Sequence, residues 1–205
     1  VCRRLARQGY QAIAPNLYQR QGDPVGIDSV ADILAKVVSK VPDAQVLADL
    51  DATAAWAAAN GGDAARLGIT GFCWGGRITW LYAAHNPKLK AGVAWYGRLT
   101  GVASAMTPQH PIDVVDKISA PVLGLYGAKD QGIPVSDVDD MKADLAAVSQ
   151  ENAKLKSDGA KLFAIYEQQN AAQAAQIDAL KKSDAAGPGG RVGSQGVEPF
   201  RVAAG

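Results

Sequence analysis

The sequence predicts an α/β protein: a mostly parallel sheet with helices on both faces. Three observations carry that prediction. Short apolar runs alternate along the chain with stretches of helical spacing, the order that builds a parallel sheet with helical crossovers. Residues 120–126 (Ala-Pro-Val-Leu-Gly-Leu-Tyr) form an unbroken apolar run, as expected for a strand covered on both sides. A β-branched approach at 67–70 enters a glycine-flanked cysteine, Gly71-Phe72-Cys73-Trp74-Gly75, and leaves as a helix.

Taken in order, residues 1–8 read as a helix with Val1 and Leu5 on one side and Arg3, Arg4 and Arg7 on the other, stopped by Gly9. Gln11–Pro15 is a candidate strand, and 16–24 a loop rich in turn formers. Asp28 or Ser29 caps a helix bearing Val30, Ile33, Leu34, Val37 and Val38, which Pro42 breaks. Asp43 caps the next helix, whose apolar side carries Val46, Leu47, Leu50 and Trp56 and which ends at Asn60-Gly61-Gly62-Asp63. Arg66–Phe72 is the strand before Cys73, and 78–84 the helix after it, stopped at His85-Asn86-Pro87. Lys90–Tyr96 is a strand, 97–111 a loop and 112–118 a short amphipathic piece. The strand at 120–126 follows, then a turn over 127–134 and a helix marked by Val138, Met141, Leu145 and Val148. Ala160–Tyr166 is a final candidate strand.

With 205 residues, 48% of them hydrophobic, the chain has enough material for one domain with a sizeable core. A net charge of +1 offers no electrostatic footprint for nucleic acid, and no apolar run has the length of a membrane span. Two cysteines, Cys2 and Cys73, are too few for a disulfide framework and point to a reducing, cytoplasmic setting. No cluster of His, Cys and carboxylates has metal-ligand spacing, and the glycine-rich 187–193 neither follows a strand nor opens a helix, so no metal, phosphate loop or other cofactor is expected.

The G-x-C-x-G pentapeptide has the form of a nucleophile elbow, a tight strand-to-helix turn that needs glycines where side chains would collide. The following helix aims its first N–H groups and positive dipole end at the cysteine, favouring thiolate and oxyanion. The other reading of the pentapeptide is a small buried cysteine in a glycine-rich turn. In parallel sheets chemistry gathers at the carboxyl ends of the strands, and Cys73 and Asp130 each lie just past the end of an expected strand. Trp74 is a candidate for lining the pocket there. Tyr96 and Arg98, at the end of the next strand, could meet a substrate carboxylate. Trp56 and Trp80 read as core, and Lys36, Lys40 and Asp43 as solvated helix faces. His85, about 18 Å along the helix from Cys73, reads as a helix-end residue, His110 as a turn residue beside Pro111.

Residues 1–148 resemble the dienelactone hydrolase family of α/β-hydrolases. The matching pieces are Arg-Leu-Ala-Arg-Gln-Gly-Tyr (4–10), Ala-Pro-Asn-Leu-Tyr (14–18) with Arg20-Gln21-Gly22, Gly-Phe-Cys-Trp-Gly-Gly-Arg (71–77), Trp-Tyr-Gly (95–97) and Gly127–Pro134. The resemblance implies a small-molecule ester or lactone as substrate, dienelactone opened to maleylacetate being the family's type reaction. It implies Cys73 as nucleophile, Asp130 as the acid that orients a histidine, and the Trp74 N–H as an oxyanion donor. The family's histidine follows its last strand, where this chain has Tyr166-Glu167-Gln168-Gln169-Asn170; Glu167 is a poor base for a thiol, and no His follows His110. The family's Glu-bearing segment would precede Val1, so the expected fold is incomplete at its N-terminus and its activity impaired. The domain is expected over 1–184, with 185–205 a Gly/Ala/Pro-rich, poorly ordered tail. The alternative is a non-catalytic remnant that serves as a binding or structural partner.

Overall fold

The computed structural model describes residues 1–185. The chain falls into two compact units that divide after Glu151. The tail expected from residue 185 onward lies outside the described residues, apart from Ala185 itself.

The first unit is built on three parallel strands, β1 (Gly68–Phe72), β2 (Ala91–Trp95) and β3 (Val122–Leu125), in that spatial order. Phe72 stands opposite Trp95, and Trp95 opposite Leu125, so all three strands finish level. Before the sheet come α1 (Cys2–Arg7), α2 (Val30–Lys36) and α3 (Asp43–Ala59). Helix α4 (Trp74–His85) crosses from β1 to β2, and a 3-10 stretch (Pro111–Lys117) precedes β3. Helix α5 runs over Val135–Ala185.

Local chemistry explains most boundaries. Of the two candidate caps for α2, Ser29 takes the position, its side chain accepting the Asp32 N–H. Gly9 follows α1 at φ 88°, a conformation that a Cβ disfavours.

Helix α4 is the core of the unit. Every residue from Gly76 to Ala83 is buried, the polar Arg77 and Thr79 included. Ile78 and Leu81 pack with Val41, Val46 and Val114, and Trp80 with Ala94, Leu99, Val115 and Met141. Tyr82 and Ala83 pack with Leu89 and Ala120. The polar atoms on this helix are satisfied: Thr79 Oγ1 donates to the Gly75 carbonyl, and Trp80 Nε1 to the Tyr126 hydroxyl at 2.9 Å. Tyr82 donates to Asp51; burial, the first cause, pushes its phenol up to about 12. Helix α4 and the first turns of α5 cover one face of the sheet, whereas Phe72, Trp95 and Leu123 lie exposed on the other.

Five expectations are corrected. Gln11–Pro15 joins no strand: the segment runs beside α3, Ile13 lining a shallow surface hollow with Ala52, Thr53 and Trp56 and the Gln11 amide donating to Asn60 O. Leu123 is 57% exposed, so β3 is covered on one face only. Trp56 is also 57% exposed rather than core, because α3 turns its 52–56 face outward. Asp43 does not cap α3; Pro42 holds the cap position, and Asp43, the first helical residue, is buried rather than solvated. Its burial is explained by Arg77, whose Nη1 and Nη2 donate to Oδ1 and Oδ2 at 2.7 and 2.8 Å.

The last correction concerns Ala160–Tyr166, which is helix, part of α5. Apolar β-formers stand there among Ala, Lys, Gln and Glu, and no proline interrupts residues 135–185. In the second unit, residues 152–182 of α5 expose Leu155, Leu162, Phe163, Ile165, Tyr166, Ile177 and Leu180.

Candidate functional site at the carboxyl end of the sheet

Cys73 is the junction of β1 and α4. It occupies the N-cap position of the helix with φ 54° and ψ −117°, a strained conformation for any residue with a Cβ. What holds it there is visible on both sides. Its N–H donates to the Trp95 carbonyl at 2.9 Å, and its carbonyl accepts from the N–H groups of Gly76 and Arg77. The turn is so tight that added carbons would not fit. A Cβ on Gly71 would run into the Gly75 backbone, and one on Gly76 would lie 2.5 Å from the Trp95 carbonyl oxygen and 2.9 Å from Gly97 Cα. A Cβ on Gly97 would enter the Gly76–Arg77 peptide. Gly75, by contrast, faces open space. Of the two glycines flanking the cysteine in sequence, only Gly71 is demanded by the packing; Gly76 and Gly97 make up the rest of the constraint.

Tyr96, one strand over, has φ 38° and donates its N–H to the Leu125 carbonyl. The two non-glycine residues with positive φ among the described residues therefore stand at neighbouring strand ends. Around them Phe72 stacks on Trp95 (centroids 5.4 Å, 20°) and meets Tyr96 at 6.4 Å. Trp95 Nε1 donates to Thr70 Oγ1. Tyr96 and Arg98 are exposed and Gly97 is buried.

Asp130 lies in the turn beyond β3. Its N–H donates to the Gly127 carbonyl, and its Oδ1 accepts the Gly132 N–H at 2.8 Å. Parallel, level strands bring Cys73, Tyr96 and the turn of Asp130 out at one end of the sheet; β1 and β3 are two strand spacings apart, about 10 Å. Trp74 opens α4, where the first N–H groups of a helix have no partner inside it. Cys73 is an exposed free thiol, which removes the buried-hydrophobe reading.

Both histidines are engaged elsewhere. His85 Nε2 lies 2.7 Å from Asp51 Oδ2 at the far end of α4. His110 is buried rather than a simple turn residue: its Nδ1 faces Arg77 Nε at 3.4 Å, its Nε2 faces the Val102 carbonyl at 3.3 Å, and Gly101 has no room for a Cβ against the ring. Arg77 also donates to Gln109 O. Asp43, Arg77 and His110 thus form one buried polar group under the first turn of α4. Sequence reasoning missed it because the partners are more than 30 positions apart.

Tyr18 is the other residue that sequence reasoning left out of the site, although the segment containing it was noted. Its ring leans on Trp74 (5.5 Å, 36°), and burial, followed by the charge of nearby Cys73, raises its phenol above the ordinary tyrosine value.

No described helix is long and apolar enough to cross a membrane, and no metal-binding group of His, Cys, Asp and Glu occurs among the described residues.

The model of the dienelactone hydrolase family matches residues 1–183. A protein of Methylorubrum extorquens provisionally named a carboxymethylenebutenolidase is 65% identical over 143 residues, covering 69% of this chain and 49% of that protein. One of Salmonella typhimurium with the same provisional name is 60% identical over 149 residues, covering 73% of this chain and 55% of its own. A solved structure from Klebsiella pneumoniae subsp. pneumoniae, described provisionally as a dienelactone hydrolase, is 63% identical with a TM-score of 0.70; the match covers 72% of this chain and 62% of that one. This chain spans about half the length of the curated relatives it matches. The elbow, the parallel sheet and these likenesses agree: the chain belongs to the dienelactone hydrolase family, with the α/β-hydrolase fold.

Proposed function

We propose that this chain hydrolyses ester or lactone bonds of small molecules through Cys73. The observation that carries the reading is the strained φ of 54° at an exposed thiol between a strand and a buried helix. The Cys73 thiolate attacks the carbonyl carbon; a C–S bond forms and the carbonyl pair moves onto oxygen, where the N–H of Trp74 and the positive end of α4 receive it. Collapse breaks the C–O bond and leaves a thioester. Water then cleaves the thioester, its hydroxyl going to the acyl carbon and its proton to the leaving alkoxide. Asp130 has the role of orienting a base, and Tyr96 and Arg98 that of meeting the rest of the substrate. A reducing, cytoplasmic setting belongs to the same reading, because both cysteines are free and the nucleophile works only as thiolate.

Turnover by this chain is slow in this reading. His85 and His110 are its two histidines, each held by other partners, and loss of one member of a catalytic triad commonly removes several orders of magnitude of rate. That same observation favours a second reading, a non-catalytic binding or structural protein. Hydrolysis of an activated aryl ester by the purified chain and by Cys73→Ala separates the two. The hydrolase reading expects a slow rate that the variant lacks; equal rates leave only the second.

A further inference from the structure

Resting on the reading of Cys73 as nucleophile, we propose that Tyr18 is the side-chain hydrogen-bond donor beside it, its hydroxyl holding an oxygen of the acyl group under attack. The loop that carries Tyr18 is fixed at several points. The Tyr18 N–H donates to Asn16 Oδ1 at 3.1 Å, and its carbonyl accepts from the N–H groups of Gln21 and Gly22. Leu17 O accepts from Gln45, and the Arg20 guanidinium grips both oxygens of Asp49 at 2.8 and 2.6 Å, so the loop is tied to α3 on either side of the tyrosine.

The ring itself packs into the cluster of Val41, Val46, Ile78 and Leu81, and leans on Trp74, the residue after the nucleophile. Its position is therefore set by the same core that sets the elbow. Trp74 follows Cys73 directly, so the ring contact holds Tyr18 beside the elbow, where the charge of Cys73 also acts on the phenol. Burial and the sulfur both act against ionisation. The group is consequently a neutral donor and not a base. A half-buried donor of this kind favours a reaction that brings an acyl oxygen to it, since without one it is left unpaired.

The test compares the wild-type chain with Tyr18→Phe, which keeps the ring and its contact with Trp74. Acylation of Cys73 by p-nitrophenyl acetate is followed by mass and by the nitrophenolate burst, and methylation of the same sulfur by iodomethane, which has no oxygen to hold, serves as reference. The expected result is acylation slowed about tenfold, the loss of one hydrogen bond, with methylation within about twofold of wild type. Equal acylation rates overturn the assignment, and so does an equal loss in both reactions, which would place Tyr18 on the sulfur or in the scaffold. Should Tyr18→Phe lose the wild-type melting midpoint, Tyr18→His decides, because it restores a donor: partial recovery of acylation over Tyr18→Phe supports the role, and none overturns it. If the wild type forms no acyl-Cys73 at all, the nucleophile reading fails, and the role of Tyr18 fails with it.

Discussion

Helix α4 and residues 152–182 of α5 contain comparable apolar side chains and meet opposite fates. In α4 Ile78, Trp80, Leu81 and Tyr82 are all buried, whereas in α5 Leu162, Phe163, Ile165 and Tyr166 are all more than half exposed. The difference does not lie in hydrophobicity. Helix α4 emerges from a strand through a turn that forces it onto the sheet, with Gly76 and Gly97 in backbone contact. The stretch in α5 is one helix built from residues that favour that form. A sequence buries its apolar residues where the backbone brings partners, and stability concentrates accordingly.

This contrast can be broken at graded cost. The largest effect is expected from Gly97→Ala, which drives a carbon into the Gly76–Arg77 peptide. A loss of more than about 3 kcal/mol, or failure to fold, should appear in urea melts. Asp43→Ala strands the buried guanidinium of Arg77 and should cost about 3–5 kcal/mol in the same melts. Cys73→Gly reverses the sign: it relieves the φ of 54° and should raise stability by about 1 kcal/mol while abolishing acylation. Phe163→Ser, in the exposed stretch of α5, should change stability by less than about 0.5 kcal/mol. A large loss there would mean that Phe163 packs against a partner.

Much of the fold and site was legible because it is written locally. Ser29 as a cap, Gly9 as a stop, the crossover of α4 and the elbow around Cys73 all follow from neighbours within a few positions. What could not be read depends on contacts between distant residues. Asp43 looks like an ordinary acidic residue in the first turn of a helix until Arg77, 34 positions later, arrives against it. Tyr18 looks like a loop aromatic until Trp74 is placed under it. Residues 160–166 mislead for the opposite reason. Phe, Ile and Tyr favour strands, but a strand needs a neighbour, and the helix-forming residues around them, Leu162 included, prevail.

The ladder of the sheet continues one rung past its strands, from Cys73 to the carbonyl of Trp95 and from Tyr96 to that of Leu125. Both rungs end on residues that would relax if released. If Cys73 is the nucleophile, its aim depends on these outermost hydrogen bonds of the sheet staying closed. On that reading, acylation of Cys73 should fall with warming or mild denaturant before the global unfolding transition.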